Sequence, residues 1–219
     1  MNFFKNHKFH WSQKSFLLSV LSGFLLFFGS LIVNYIAGVY AKKQASNGVN
    51  DIILDNLPVV NVGAIFVYGF VLMALFIVIL MIYEPRKIPF IVKSLALFIL
   101  IRSFFVILTH LGPIPESTAV NSGYLVKYLT FGSDYFFSAH VGMPFLAALM
   151  FWHNKYIRGI FLGFSFMFGV SVLLGHLHYS IDVFAAFFIS YGIFHIAQWL
   201  FAGDYDLFIR SLHKDAGSM

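Results

Sequence analysis

The chain has no cysteine among its 219 residues. Disulfides, thiolate metal sites and thiol nucleophiles are therefore excluded. Charge is scarce too: Asp, Glu, Lys and Arg make up 11% of the residues, and the net excess of +5 is spread along the whole chain. That is too diffuse for a nucleic-acid footprint, so no nucleic-acid partner is expected. There are only 6 prolines, and neither an internal repeat nor a low-complexity linker divides the chain. What remains is apolar, with 60% hydrophobic and 20% aromatic residues and a mean hydropathy of +0.84. Such a composition belongs to an integral membrane protein, whose first partner is the bilayer itself.

Apolar runs of spanning length set the expected fold. A crossing helix needs about 20 apolar residues. Runs near 16–40, 59–83, 88–110, 137–152, 159–175 and 179–201 predict an all-α bundle of six transmembrane helices. The whole of 1–219 reads as a single membrane domain, with polar tails over 1–15 and 203–219. The first run is long and lacks a small-residue cleavage pattern after it, so it reads as a span and not as a leader. Ten of the 14 Lys and Arg fall at one set of helix ends: Lys5, Lys8, Lys14, Arg86, Lys87, Lys93, Lys155, Arg158, Arg210 and Lys214. The positive-inside rule then places both termini in the cytoplasm. By the same alternation, His140 and His178 share the non-cytoplasmic face.

Two polar stretches interrupt the apolar runs. In His176-Leu177-His178-Tyr179-Ser180-Ile181-Asp182, a helix starting here carries His178 and Asp182 one turn apart on one face. The carboxylate can fix the imidazole tautomer and stabilise the cation formed when the ring reacts. The same spacing also suits a polar pair that braces two helices, and spacing alone leaves both readings open. In Ser133-Asp134-Tyr135-Phe136-Phe137-Ser138-Ala139-His140, a turn leads into an apolar run. The helix start would present backbone N–H groups at Ser138 to His140, which suits a phosphate.

Ser133-Asp134-Tyr135-Phe136-Phe137-Ser138-Ala139-His140 followed by His178-Tyr179-Ser180-Ile181-Asp182-Val183 resembles the motif pair of the sphingomyelin synthase family, within the type 2 phosphatidic acid phosphatase superfamily. Arg102, Thr109-His110-Leu111 and Pro113 extend the likeness, which covers roughly residues 90–190. The resemblance implies a lipid phosphotransferase or phosphatase, acting on a phospholipid with a lipid alcohol or water as acceptor. His178 would attack the phosphate and carry a phosphohistidine. Asp182 would hold His178, and His140 would serve as acid and then base. No cofactor and no metal is implied. Ala139 departs from the family, which carries Gly there. Val172 and His176 stand where the broader phosphatases and the synthases, respectively, carry an arginine.

Other residues keep two readings. Arg102, inside a run of Leu, Ile and Phe, is either a phosphate clamp or the structural partner of Asp182 or Asp134. Ser138 caps its helix or binds phosphate. Asp134 orients His140, binds a headgroup amine or turns the loop. His176 replaces the missing cation or caps a helix end. A non-enzymatic alternative is a transporter or scaffold in which His140, His176, His178 and Asp182 bind a metal. Tyr179 and Trp199 read as interfacial anchors, and Gly23, Gly29 and Gly38 as sites of close helix packing.

Overall fold

The computed structural model describes residues 3–114 and 136–216, and all regular structure among them is helical. The helices are α1 (Phe3–Trp11), α2 (Lys14–Gln44), α3 (Phe70–Tyr83), α4 (Ile88–Leu108), α5 (Ala139–Met150), α6 (Lys155–Leu174), α7 (Ser180–Leu200) and α8 (Ala202–Ala216). A π-helical turn, Ile65–Gly69, leads into α3. Short 3-10 turns occupy Leu54–Asn56 and Pro85–Lys87.

Among the described residues, five helical segments are long and apolar enough to cross a membrane: Lys14–Gln44, Ile65–Tyr83, Pro85–Leu108, Lys155–Leu174 and Ser180–Leu200. The expected sixth span, α5, is a helix of only 12 residues. At 1.5 Å per residue it covers about 18 Å, short of the ~30 Å apolar thickness of a bilayer. The second span starts later than its hydropathy predicts. Val60 N–H donates to the Leu174 carbonyl (2.7 Å), and the Asn61 side chain accepts from Gly63 N–H (3.1 Å), which keeps this stretch out of the helix.

Close packing around α5 sets the positions that matter. α5 lies between α6 and α7 and also meets α4. Ser165 Oγ of α6 donates to the Val141 carbonyl (2.9 Å), and Ser190 Oγ of α7 donates to the Gly142 carbonyl (3.2 Å). Hydroxyl-to-backbone bonds of this kind hold helices together where lipid offers no hydrophobic drive. A Cβ on Gly142 would sit 2.8 Å from the Phe98 ring and from Ser190 Oγ, so only glycine permits this approach. Of the three glycines expected to serve close packing, Gly23 rests against the Lys93 stem at 3.4 Å, while Gly29 faces open space.

The polar tails carry helices of their own. Residues 3–11 form α1 and residues 202–216 form α8. Apolar residues at Tyr205, Phe208, Ile209 and Leu212 give α8 one inward face, with Phe208 fully buried against Phe90 and Phe151. Asp204 pairs with Lys93 (2.6 Å). α1 is tied down by Asn6 Nδ2, which donates to Glu84 Oε1 (2.9 Å). Burial would raise the Glu84 carboxyl, but the Arg86 guanidinium and the Asn6 amide outweigh it and hold the group down to about 2. These contacts gather α1, the Glu84–Lys87 turn and α8 at one end of the bundle. The segments after α2, α4 and α6, and the starts of α5 and α7, meet at the other.

Candidate active site

The C-terminus of α6 is where the site begins. Leu177 N–H returns to the Val172 carbonyl (2.9 Å) and His176 N–H to the Leu173 carbonyl (3.1 Å), the double closure of a Schellman motif. The position after the cap needs left-handed backbone, usually supplied by glycine, and here His176 adopts it with φ 50°. Gly175 cannot exchange places with it, because a Cβ there would meet the Val62 side chain at 2.4 Å. His176 is 5% exposed, and its Nε2 has no hydrogen-bond partner.

One residue pair later, α7 opens on the expected pair. His178 Nδ1 faces Asp182 Oδ2 at 3.4 Å, and the same oxygen accepts from Tyr179 N–H at 3.1 Å. Asp182 is 0% exposed, and its other oxygen, Oδ1, is unpartnered. Tyr179 is no interfacial anchor. It is buried, donating its hydroxyl proton to the Gly112 carbonyl (3.0 Å) and accepting from Val49 N–H (3.2 Å). The phenol thereby ties α7 to the segments after α2 and α4.

The second motif is joined to the first through main chain. Ser138 N–H donates to the Asp182 carbonyl (3.1 Å), which sets the start of α5 beside the first turn of α7. Phe137, just before it, turns its carbonyl to accept from Arg102 Nε of α4 (3.2 Å). Arg102 is buried, 5% exposed. Ser138 occupies the N-cap position of α5, yet its hydroxyl makes no cap bond and is buried without a partner. The plain capping role therefore does not hold for Ser138. His140 stacks on Phe66 (3.7 Å between ring centroids, 21° between planes) and meets Phe70 and Phe168.

Arg102, Ser138, His140, His178 and Asp182 thus converge on one end of the bundle, with His176 beside them. Asp134 lies outside the described residues. Among the described residues, no three His, Asp or Glu side chains are placed to hold a metal ion, so the metal-site alternative has no geometric support there. Two cavities adjoin the site. One of about 330 Å³ is walled by Asp51, Asp55, His176 and Tyr179, and one of about 410 Å³ lies between Ser46–Asn47, Thr109–Leu111, Phe136 and Ile181. Neither is lined by Arg102, His140, His178 or Asp182.

Sequence reasoning missed Asp51. Its Oδ2 accepts from Ser180 N–H (2.6 Å) at the start of α7, and its Oδ1 accepts from Ile53 N–H (2.9 Å) and Leu54 N–H (3.2 Å). Partial burial opposes ionisation, but the bonds from Ser180, Leu54 and Ile53 prevail and keep the carboxyl below its usual range. No local pattern marks a bond spanning 129 positions. Compared with models of known families, with curated proteins and with solved structures, the chain finds no match.

Proposed function

We propose that this protein is a membrane lipid phosphotransferase or phosphatase that works through a phosphohistidine on His178, in the manner of the sphingomyelin synthases its motifs resemble. The Ser138-to-Asp182 backbone bond carries the reading, because it holds the two histidine-bearing segments side by side. Among the described residues, three of the five unpartnered buried side-chain atoms, on Ser138, Asp182 and His176, lie here and support it, Asn6 and Ser94 carrying the other two, since a buried polar group without a partner calls for an explanation.

The chemistry follows from the residues. Asp182 holds the Nδ1–H of His178, leaving Nε2 to attack phosphorus. The phosphorus–oxygen bond to the diacylglycerol moiety breaks, and His140 gives that oxygen a proton. The phospho-headgroup stays on His178. His140, now neutral, takes the proton of an incoming lipid alcohol or water, whose oxygen attacks phosphorus and releases His178. Arg102, the Ser138 hydroxyl and the N-terminal amides of α5 steady the phosphoryl oxygens. The long His178–Asp182 separation is ordinary for an unliganded site and shortens when charge develops. The distribution of Lys and Arg supports a non-cytoplasmic site with both termini inside.

The test is lipid turnover by the purified protein in mixed micelles containing chelator. A phospholipid panel is offered with and without ceramide or diacylglycerol, and products are followed by mass. The wild type yields product, and its identity separates transfer from hydrolysis. His178→Ala yields none while keeping the wild-type unfolding temperature. A normally folded His178→Ala protein at near-wild-type rate sinks the phosphohistidine. No product from any lipid returns the chain to the scaffold class.

A further inference from the structure

The first turn of α7 carries both His178 and Asp182 at its edge, so whatever fixes that turn fixes the nucleophile. A helix start leaves its first N–H groups unsatisfied within the helix. In α7 the Ser180 N–H is taken by Asp51, from the segment that follows α2, at 2.6 Å. The other carboxylate oxygen gathers Ile53 and Leu54 N–H and so starts the Leu54–Asn56 turn. One side chain therefore clamps a loop turn and a helix start together.

The loop on the far side of that clamp is itself anchored. Ser46 N–H donates to the His110 carbonyl (2.9 Å) and Gly112 N–H to the Asn47 carbonyl (3.2 Å). A Cβ on Gly112 would lie 2.1 Å from the Ser46 carbonyl oxygen, so the two segments are in direct backbone contact. Val49 N–H reaches the Tyr179 hydroxyl (3.2 Å). The load path runs from α2 and α4, through segment 46–54, into Asp51 and on to Ser180. It ends two residues from His178 and from Asp182.

We infer that Asp51 is a positioning residue for the His178–Asp182 pair, acting through Ser180 and not by touching the substrate. The inference rests on the phosphotransfer reading for its effect on rate. Misplacement of a reacting group by about 1 Å costs on the order of 10²-fold in rate. Loss of the clamp loosens the first turn of α7 and falls on kcat, because the groups that bind substrate elsewhere are untouched.

The experiment cuts the bond from both ends in the full chain. Asp51→Ala removes the acceptor. Ser180→Pro removes the donor, and proline suits the first position of a helix, with Tyr179 before it already extended (φ −67°, ψ 155°). Each variant is expected to lower kcat for phospholipid turnover on the order of 10²-fold with KM within about twofold. The double variant loses no more than either single one, since both cut the same bond. Wild-type kcat in either variant, a change confined to KM, or losses that multiply in the double variant overturn the inference. Hydrogen exchange gives a second reading that does not need turnover. Residues 180–184 lose protection in Asp51→Ala while α2 and α4 keep theirs. If the wild type turns over no lipid, the phosphotransfer reading falls, and the clamp is decided by exchange alone: unchanged protection of that turn overturns it.

Discussion

His176 holds left-handed backbone with a branched ring where glycine is the usual occupant. Such strain costs on the order of 1 kcal/mol and persists where the surroundings impose it. His176→Gly is expected to raise stability by up to about 1 kcal/mol in denaturant unfolding. The same change lowers phospholipid turnover, because the unpartnered Nε2 is lost from the site. Glu84 gives a prediction in pH. Its folded pKa of about 2 lies below the ordinary 4.5, so the charged form is what the fold favours. The advantage of wild type over Glu84→Gln is full above about pH 4.5 and disappears as pH falls toward 2, a trend that thermal unfolding at stepped pH reads directly. Much at this scale was legible in the sequence. His178 and Asp182 four apart announce a shared face, and Arg102 in an apolar run announces burial. Tyr179 was misread because its fate depends on Val49 and Gly112, neither of which is near it in sequence. Asp51 was invisible for the same reason.

Among the elements, α5 is the one on which the site depends most, being short and held from both sides. Gly142→Ala puts a methyl 2.8 Å from Phe98 and Ser190, and is expected to cost about 1–3 kcal/mol by overpacking. Gly29→Ala, in the interior of α2 with nothing near it, is expected to gain about 0.5–1 kcal/mol. Paired unfolding curves of the two variants check both signs. Hydropathy located the long helices, because a run of apolar residues is a local property. It missed the late start of the second span, where Asn61 and the Val60 bond to Leu174 override an apolar stretch. It also missed α1 and α8. Their polar faces lower the average hydropathy, and the inward face of α8 shows only when read at helical period.

On the scale of the whole molecule, the two ends of the bundle do different work. One end collects His140, His178, Asp182 and Arg102. The other is closed by α1 and α8, with Phe208 packed against Phe151 just past the end of α5. The short α5 therefore rests on α8 at one end and presents His140 at the other. Deleting residues 202–219 is expected to lower the unfolding temperature and the turnover together, although the rings that pack on His140 are those of Phe66, Phe70 and Phe168. A deletion that leaves both unchanged removes α8 from this role. The joint between the two histidine segments belongs to another category. It runs from the Ser138 amide to the Asp182 carbonyl and uses main chain alone. An alanine scan would pass over it without a signal, since every residue but proline brings the same amide to position 138. The candidate side chains can therefore be exchanged one at a time, and the frame that holds them side by side is inherited intact by every such variant.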